Sequence, residues 1–170
     1  MPDLILVVHN VRSAHNVGSL LRTADGLGVK SVYLTGYTPY PLSAEDQRLP
    51  HIARRIHNQI QKTALGAEET VKWIHYENLD NCLRDLMRSG YAIAALEQTP
   101  GAIGLHDFKP PQKIALIVGN EVEGLDKDTL NKTGIHLEIP MRGQKESFNV
   151  AIAAAIALYE LAKGLDKRGA

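Results

Sequence analysis

The fold is decided by residues 4–35, which read LILVVHNVRSAHNVGSLLRTADGLGVKSVYLT. Leu4–Val8 is a continuous apolar run, the pattern typical of a strand that is covered on both faces. The apolar residues that follow are spaced as on one face of a helix; they are Val17, Leu20, Leu21 and Ala24. Ser31–Thr35 predicts a second strand. This order of elements predicts a parallel pair of strands with a right-handed crossover.

The alternation of strands and helices continues along the chain. Further helices are expected at Ile52–Leu65, at Asn78–Ser89 and from about Ser147 to Lys163. Further strands are expected at Tyr91–Leu96, Lys113–Val118 and His136–Ile139, whereas Tyr37–Leu49 is typical of a loop. We therefore expect a Rossmann-like α/β fold, a parallel sheet flanked by helices, in a single domain over residues 1–170.

The last predicted helix carries an unusual run. Val150–Leu158 contains no polar side chain. A helix that is apolar all round must be covered all round, and in a chain of 170 residues the second cover is expected to be another copy of the chain. We therefore expect a homodimer built on this helix, which Ala154→Arg would disrupt.

Composition and the absence of several motifs limit the classes of protein to which this chain can belong. Lysine plus arginine and aspartate plus glutamate number 19 each, so a nucleic-acid function needs a local basic patch. The single cysteine, Cys82, favours a reducing compartment, and no apolar run is long enough for a membrane span, so we expect a cytoplasmic protein. The histidines show no metal-ligand spacing, so no metal is expected. No glycine-rich dinucleotide loop, P-loop or nucleophile elbow is present.

Three clusters with polar residues lie where predicted strands end, at residues 10–24, 114–125 and 137–151. Ligands in open parallel sheets bind at such strand ends, where free backbone N–H groups and loop side chains converge. Each cluster also has an ordinary structural interpretation. Asn16 is then a helix N-cap and Arg22 a solvated charge, the second cluster is a strand-to-loop turn, and Ser147 caps the last helix.

The three clusters, taken in order, resemble the three motifs of the SpoU/TrmH branch of the SPOUT methyltransferases. Motif one is Asn16-Val-Gly-Ser-Leu-Leu-Arg22-Thr-Ala, and motif two is Ile117-Val-Gly-Asn-Glu121-Val-Glu-Gly-Leu. Motif three is Ile139-Pro-Met-Arg-Gly143 followed by Ser147-Phe-Asn149-Val-Ala. The resemblance extends from Leu4 to Leu161, and the one departure is Phe148, where the family usually has leucine of similar bulk.

The resemblance implies a C-terminal deep trefoil knot, a homodimer and S-adenosylmethionine bound within the knot. The implied reaction is methylation of a ribose 2′-hydroxyl in RNA. The residues expected to line the cofactor pocket are Leu96, Glu97, Gly119, Ile139, Met141, Ser147 and Phe148. The implied catalytic set is Arg22 with Asn16, Glu121, Ser147 and Asn149. Because a guanidinium stays protonated at neutral pH, Arg22 is expected to act as an electrostatic clamp rather than as a base.

A basic segment after the first β-α-β unit is the best candidate for an RNA surface. No acidic residue occurs from Gln47 to Gly66, and the segment carries Arg48, His51, Arg54, Arg55 and Lys62. A solvated helix face is the ordinary interpretation of such a run. Basic side chains in the motif loops add to it; these are Arg12, Arg142 and Lys145. Because the catalytic core starts at about Leu4 without an added RNA-binding domain, we expect tRNA rather than rRNA as the substrate.

Two other functions stay open at this stage. The chain is alternatively an RNA-binding or cofactor-binding protein that kept the fold and lost catalysis, which the intact catalytic motifs disfavour. It is alternatively a small-molecule enzyme such as a hydrolase, which the missing nucleophile motif disfavours. A methyl-transfer assay separates the first alternative from the enzyme.

Overall fold

The computed structural model describes residues 3–166, with side chains to residue 164. This part contains a seven-stranded parallel sheet in the order β3-β2-β1-β6-β4-β7-β5. The strands are β1 (Asp3–His9), β2 (Ser31–Thr35), β3 (Trp73–Tyr76), β4 (Ala92–Leu96), β5 (Ile103–Gly104), β6 (Lys113–Val118) and β7 (Ile135–Glu138). The parallel α/β architecture predicted from the sequence is confirmed.

Helices cover both faces of the sheet. They are α1 (Ala14–Gly26), α2 (Pro50–Ala64), α3 (Ala67–Thr70), α4 (Leu79–Arg88), α5 (Lys127–Lys132) and α6 (Val150–Asp166), with a short 3₁₀ turn at Leu105–Asp107. In β1, Leu4 and Leu6 face the core shared with α1, α2 and α6, whereas Ile5 and Val7 face the core shared with α4. Burial on both faces explains why this strand is continuously apolar.

The observed helices and strands agree with the predicted ones, except for the bounds of some elements and for four short elements that were not predicted. β2 and β6 have the predicted bounds, but β7 begins and ends one residue earlier and α6 begins at Val150 rather than Ser147. The sequence patterns missed β3, β5, α3 and α5. The two missed helices have four and six residues, too few to display a helical period, and the two missed strands lie at the edges of the sheet, where none of their residues is fully buried.

The first and second helices pack unusually closely, and a glycine makes this contact possible. A Cβ atom on Gly18 would lie 2.2 Å from both Ile60 O and Thr63 Oγ1. The Thr63 hydroxyl donates a hydrogen bond of 2.7 Å to His15 O. The C-terminal part of α2 is therefore held against the first turns of α1, next to the end of β1.

One side of α6 packs within the protomer and the other side does not. Ala154 and Leu158 are fully buried, and α6 contacts α1, β1 and β6. Ile152 and Tyr159, on the opposite side, are 53% and 57% exposed. The protomer therefore covers only half of this helix. The expectation that Ala154→Arg would act on a dimer was wrong, because Ala154 lies in the protomer core and an arginine there would unfold the protomer itself.

No helix among residues 3–166 is long and apolar enough to cross a membrane. The same residues contain no group of three or more histidine, cysteine, aspartate or glutamate side chains placed to hold a metal ion.

Candidate functional site

The three polar clusters meet at one edge of the sheet. Because β1, β6, β4 and β7 are parallel neighbours, the segments that follow them leave the sheet on the same side. These segments are residues 10–13, 97–102, 119–126 and 139–149. This convergence at the carboxyl ends of parallel strands is the usual location of a ligand site in such sheets.

A chain of hydrogen bonds links all three predicted motifs. The Glu121 carboxylate accepts a bond of 3.0 Å from each of three donors, which are Arg12 N, Ser13 N and Asn16 Nδ2. The Asn16 side chain in turn accepts a bond of 3.2 Å from Asn149 Nδ2. Asn16, Glu121 and Asn149 therefore hold the N-terminus of α1, the loop after β6 and the start of α6 together.

The helix caps correct the ordinary interpretations of Asn16 and Ser147. Ser13, not Asn16, caps α1, because its hydroxyl accepts the Asn16 N–H at 3.2 Å. Asn149, not Ser147, caps α6, because its Oδ1 accepts the Ala151 N–H at 2.9 Å. The side-chain amide of Asn16 is thus available for the contacts with Glu121 and Asn149.

The carboxyl group of Glu121 remains ionised. Burial alone would raise the pKa of Glu121, but the hydrogen bonds from Arg12, Ser13 and Asn16 outweigh this effect and lower the pKa below its ordinary value. A carboxylate that keeps its charge can orient the Asn16 amide throughout the neutral pH range.

The loop after β6 is held by Glu97, at the end of β4. Glu97 Oε2 accepts the Leu125 N–H at 3.0 Å. Gly124 has a φ of +67°, and a Cβ atom there would lie 2.3 Å from the same carboxylate oxygen. A Cβ atom on Gly119 would lie 2.7 Å from the Gly124 backbone. Close packing within the loop therefore explains why residue 119 is glycine.

A cleft of about 200 Å³ opens between these loops. Its walls include six of the seven residues predicted to bind the cofactor, namely Leu96, Glu97, Gly119, Ile139, Ser147 and Phe148; Met141 is not part of the lining. Four of its lining residues are acidic, namely Glu97, Glu121, Glu123 and Glu138. No lysine or arginine among the described residues lines it. The cleft therefore combines apolar walls with negative charge.

The other two predicted catalytic residues, Ser147 and Arg22, are not part of the hydrogen-bonded group formed by Asn16, Glu121 and Asn149. Ser147 is exposed on the cleft wall. Arg22 is exposed on α1, and its guanidinium makes no hydrogen bond or ion pair with any described residue. The structure thus brings Asn16, Glu121 and Asn149 into contact but does not join Arg22 to them.

Comparison with known proteins identifies the family. The sequence model of the SpoU rRNA Methylase family matches residues 3–159. This chain belongs to the SpoU rRNA methylase family. It is 34% identical to the 23S rRNA (guanosine-2′-O-)-methyltransferase RlmB of Ralstonia nicotianae, over 94% of this chain and 58% of that protein. Identity to the RlmB of Neisseria meningitidis is 31%, with the same coverage. The chain thus spans less than two thirds of the length of these curated relatives.

Solved structures of the family share the fold. The TrmH/SpoU tRNA modifying enzyme of A. aeolicus superposes with a TM-score of 0.80 at 23% identity, over 99% of this chain and 78% of that one. A structure described as concerning "the 2-OH methylation of C/U34 on tRNA" has a TM-score of 0.80 at 25% identity, over 99% of this chain and 100% of that one. An AdoMet-bound rRNA methyltransferase from Sinorhizobium meliloti has a TM-score of 0.79 at 22% identity, over 96% of this chain and 57% of that one.

In this SpoU chain Arg48 is committed to a loop, which corrects its predicted role in RNA binding. Its guanidinium pairs with Asp46 and donates to Tyr40 O at 3.0 Å and Pro41 O at 3.1 Å. It also lies 3.6 Å from the centre of the Tyr40 ring. The hydrogen bonds from Arg48 hold the pKa of Asp46 well below its ordinary value. Because most donors of Arg48 are satisfied internally, Arg48 stabilises the loop rather than offering a free charge.

The other predicted RNA-binding side chains are exposed. Four basic residues of α2 face one shallow groove on the helix surface; they are His51, Arg54, Arg55 and Lys62. Lys62 adjoins Thr63, whose hydroxyl contacts the first turn of α1. The side chains of Arg12, Arg142 and Lys145 are exposed in the loops around the cleft. The basic groups thus lie on the rim of the cleft and on α2, outside its acidic lining.

The predicted site residues did not include Asn10, Tyr37 or Asn120, although Asn10 and Asn120 lie within the first two polar clusters. Asn120 Nδ2 donates to Asn10 O at 3.1 Å and to the Tyr37 hydroxyl at 3.0 Å. Asn10 and Asn120 follow predicted strands by two residues each, which was the available signal. Tyr37 carried no such signal, because it stands in a long loop among ordinary loop residues.

Proposed function

We propose that this chain is an S-adenosylmethionine-dependent methyltransferase that acts on a ribose 2′-hydroxyl of RNA. The observation that carries the proposal is the hydrogen-bonded chain of Glu121, Asn16 and Asn149 beside an acidic cleft. It ties the three family motifs into one site. The 2′-O-methyltransferase activity in the names of the RlmB relatives supports the reaction type.

The cleft suits this cofactor better than a phosphate-bearing nucleotide. S-adenosylmethionine has a positively charged sulfonium and amino group, which four glutamates of the lining would attract. The same carboxylates would repel the phosphates of a dinucleotide or nucleotide triphosphate. The apolar side chains of Leu96, Ile139 and Phe148 would enclose the adenine, and backbone groups of Gly119 would approach the adenosine. The cofactor, when bound, supplies the methyl group.

The residues of this chain then position the ribose and stabilise charge. A ribose hydroxyl is a poor nucleophile until it loses most of its proton, which passes to solvent water as the methyl group is transferred. Catalysis therefore depends on positioning and on stabilising the developing negative charge on the 2′-oxygen. Asn16, held by Glu121 and Asn149, orients the sugar, and Ser147 lies on the cleft wall. The exposed Arg22 is free to clamp an adjacent phosphate and bring a positive charge to the 2′-oxygen.

We propose further that the C-terminal segment forms the trefoil knot of the family and that α6 forms a homodimer. In support of the knot, α6 returns from β7, near one edge of the sheet, to pack against β6, β1 and α1. In support of the dimer, the outer side of α6 exposes Ile152 and Tyr159. Burial of such side chains contributes about 25 cal/mol per Å² of apolar surface.

We infer that the RNA contacts the basic face of α2 and the exposed arginine and lysine side chains around the cleft. Phosphate contacts of this kind provide most of the sequence-independent affinity for RNA. We favour tRNA over rRNA, in line with the likeness to the structure that concerns "the 2-OH methylation of C/U34 on tRNA", which superposes with a TM-score of 0.80 at 25% identity.

Cofactor binding and methyl transfer are tested separately. Calorimetry with S-adenosylmethionine should show binding to the wild type and to Gly134→Ala, since a Cβ atom at position 134 meets nothing within 4 Å. Gly119→Ala should weaken binding about tenfold or more, because its Cβ atom displaces the loop that lines the cleft. An absence of binding to the wild type would refute the cofactor assignment.

The reaction is tested with labelled cofactor and unmodified tRNA or rRNA, followed by nuclease digestion and mass spectrometry. We expect a 2′-O-methylated nucleotide in tRNA. Methylation of rRNA alone would contradict the tRNA assignment, and methylation of neither RNA would contradict the proposed function.

A further inference from the structure

Tyr37 lies at the same edge of the sheet as the proposed catalytic chain. β2, β1 and β6 are neighbours in the sheet, and Tyr37, Asn10 and Asn120 each follow the end of one of these strands by one or two residues. Glu121 comes directly after Asn120. The ring of Tyr37 is therefore beside the loop that positions Asn16.

The backbone of Tyr37 is held by an unusual turn. Its N–H donates to Asn10 Oδ1 at 3.2 Å. Asn10 has a φ of +55°, a conformation that asparagine adopts more readily than most residues. Gly36 has a φ of +65°, and a Cβ atom there would lie 2.0 Å from Asn10 Oδ1. Only glycine at position 36 permits this contact.

The phenol of Tyr37 is held at its other end. Asn120 Nδ2 donates to the Tyr37 hydroxyl at 3.0 Å, and Asn120 Oδ1 accepts the backbone N–H groups of Val122 at 2.8 Å and Glu123 at 3.0 Å. The tyrosine ring is thus fixed at its backbone and at its hydroxyl, and the second fixing point is the loop that carries Glu121.

The faces of the Tyr37 ring are nevertheless open. The residue is 58% exposed, and no aromatic or cationic side chain among residues 3–164 stacks on its ring. Tyr40, nearby in sequence, differs because its ring contacts the Arg48 guanidinium at 3.6 Å and stacks on His75 at 4.0 Å. Large exposed aromatic rings that are already ordered are well suited to bind a flat partner.

We propose that Tyr37 is a stacking platform for a nucleobase of the single-stranded RNA that enters the site. The proposal rests on the proposed RNA methyltransferase function and adds a residue that recognises the bases. Unpaired bases stack on aromatic side chains with little dependence on base identity, and Arg12, exposed beside this edge, can contact the adjoining phosphate. Because the ring is held in advance, stacking does not require ordering of the side chain.

The test separates base stacking from phosphate binding. Fluorescence anisotropy at low ionic strength measures the affinity for a short single-stranded oligoadenylate and for an abasic oligomer of the same length. The wild type should prefer the oligoadenylate by about tenfold, equivalent to about 1.4 kcal/mol. Tyr37→Leu should abolish this preference while binding the abasic oligomer as the wild type does. Tyr37→Phe, which keeps the ring, should retain the preference. Met87→Ala removes an exposed apolar side chain on α4 and should have no effect.

Four results would overturn the proposal. The first is a wild type without a preference for the oligoadenylate, and the second is a Tyr37→Leu variant that keeps the preference. The third is an equal loss of the preference in Tyr37→Phe and Tyr37→Leu. The fourth is a changed oligomeric state or cofactor affinity in Tyr37→Leu. In either of these cases Tyr37 would act by holding a loop or a subunit contact. Methyl transfer to RNA by the wild type is measured in parallel, so that failure of the stacking proposal is distinct from failure of the proposed function.

Discussion

Glu121→Gln is the most informative single substitution in the site. The carboxylate accepts one hydrogen bond at Oε2, from Arg12 N, and two at Oε1, from Ser13 N and Asn16 Nδ2. A glutamine has one oxygen, which can retain the two bonds at Oε1. Its amide nitrogen then faces the Arg12 N–H, donor against donor, at the position where a 3.0 Å bond existed.

The expected loss follows from this count. A hydrogen bond to a charged group contributes about 1.5–3 kcal/mol, and because Glu121 is half-buried we expect the free energy of unfolding to fall by about 1–2 kcal/mol. For a domain of this size the melting temperature should fall by about 2–8 °C. Because Asn16 loses its charged partner, kcat/KM for methyl transfer should fall about tenfold, equivalent to about 1.4 kcal/mol in the activation free energy.

The matched control is Glu123→Gln. Glu123 lies in the same loop, lines the same cleft and carries the same charge, but its exposed carboxylate makes no hydrogen bond with the described residues. Differential scanning calorimetry and steady-state kinetics should show a much smaller change in both quantities for this variant. The comparison separates the hydrogen bonds of Glu121 from the general negative charge of the cleft.

The effect should also depend on pH. Because the folded-state pKa of Glu121 is lowered, the stabilisation is present above the unfolded-state value, near 4.5, and is lost as the pH falls through the folded-state pKa. The stability difference between wild type and Glu121→Gln should therefore shrink in acid. The assigned role of Glu121 would be refuted if Glu121→Gln and Glu123→Gln lowered the free energy of unfolding equally. It would also be refuted if the stability difference between wild type and Glu121→Gln did not change with pH.

Three further outcomes are expected. Gly18→Ala should lower the free energy of unfolding by about 1–3 kcal/mol in chemical denaturation, because its Cβ atom collides with α2. Gly26→Ala, whose Cβ atom meets nothing within 4 Å, should not destabilise the fold. Equal effects of the two substitutions would contradict the close contact between α1 and α2. Ile152→Arg should convert the proposed dimer into a folded monomer in light scattering, and an unchanged mass would exclude the outer side of α6 as the interface. Arg22→Ala should abolish methyl transfer and leave calorimetric cofactor binding nearly intact, and Arg22→Lys should fail as well; wild-type turnover in either variant would remove Arg22 from the catalytic set.

Local sequence patterns predicted most of the architecture because buried positions are apolar, and their spacing along the chain indicates a helix or a strand. β1 and β6 are apolar on both faces since helices cover both faces, and the strand bounds at Ser31–Thr35 and Lys113–Val118 are those of the structure. The short edge strands β3 and β5 escaped prediction because few of their side chains are buried, so their sequences lack a continuous apolar run.

Local patterns located the candidate site only in part. They marked Asn16, Glu121 and Asn149 as polar residues near strand ends, but not as partners of one another. They also could not distinguish Arg48, whose charge is used within a loop, from Arg54 and Arg55, whose side chains are exposed. Whether a charge is free depends on the groups that the folded chain brings next to it.

The sequence by itself determined the class of fold, the three motifs and the family. Only the tertiary structure brought Asn16 into contact with Glu121, which is 105 positions away in the sequence, and with Asn149, which is 133 positions away. It also decided that Gly119 serves loop packing and that Ala154 faces the protomer core while Ile152 faces outward. The physical reason is that the period of a helix or strand is local, whereas a hydrogen bond between two loops depends on the order of the strands that carry them.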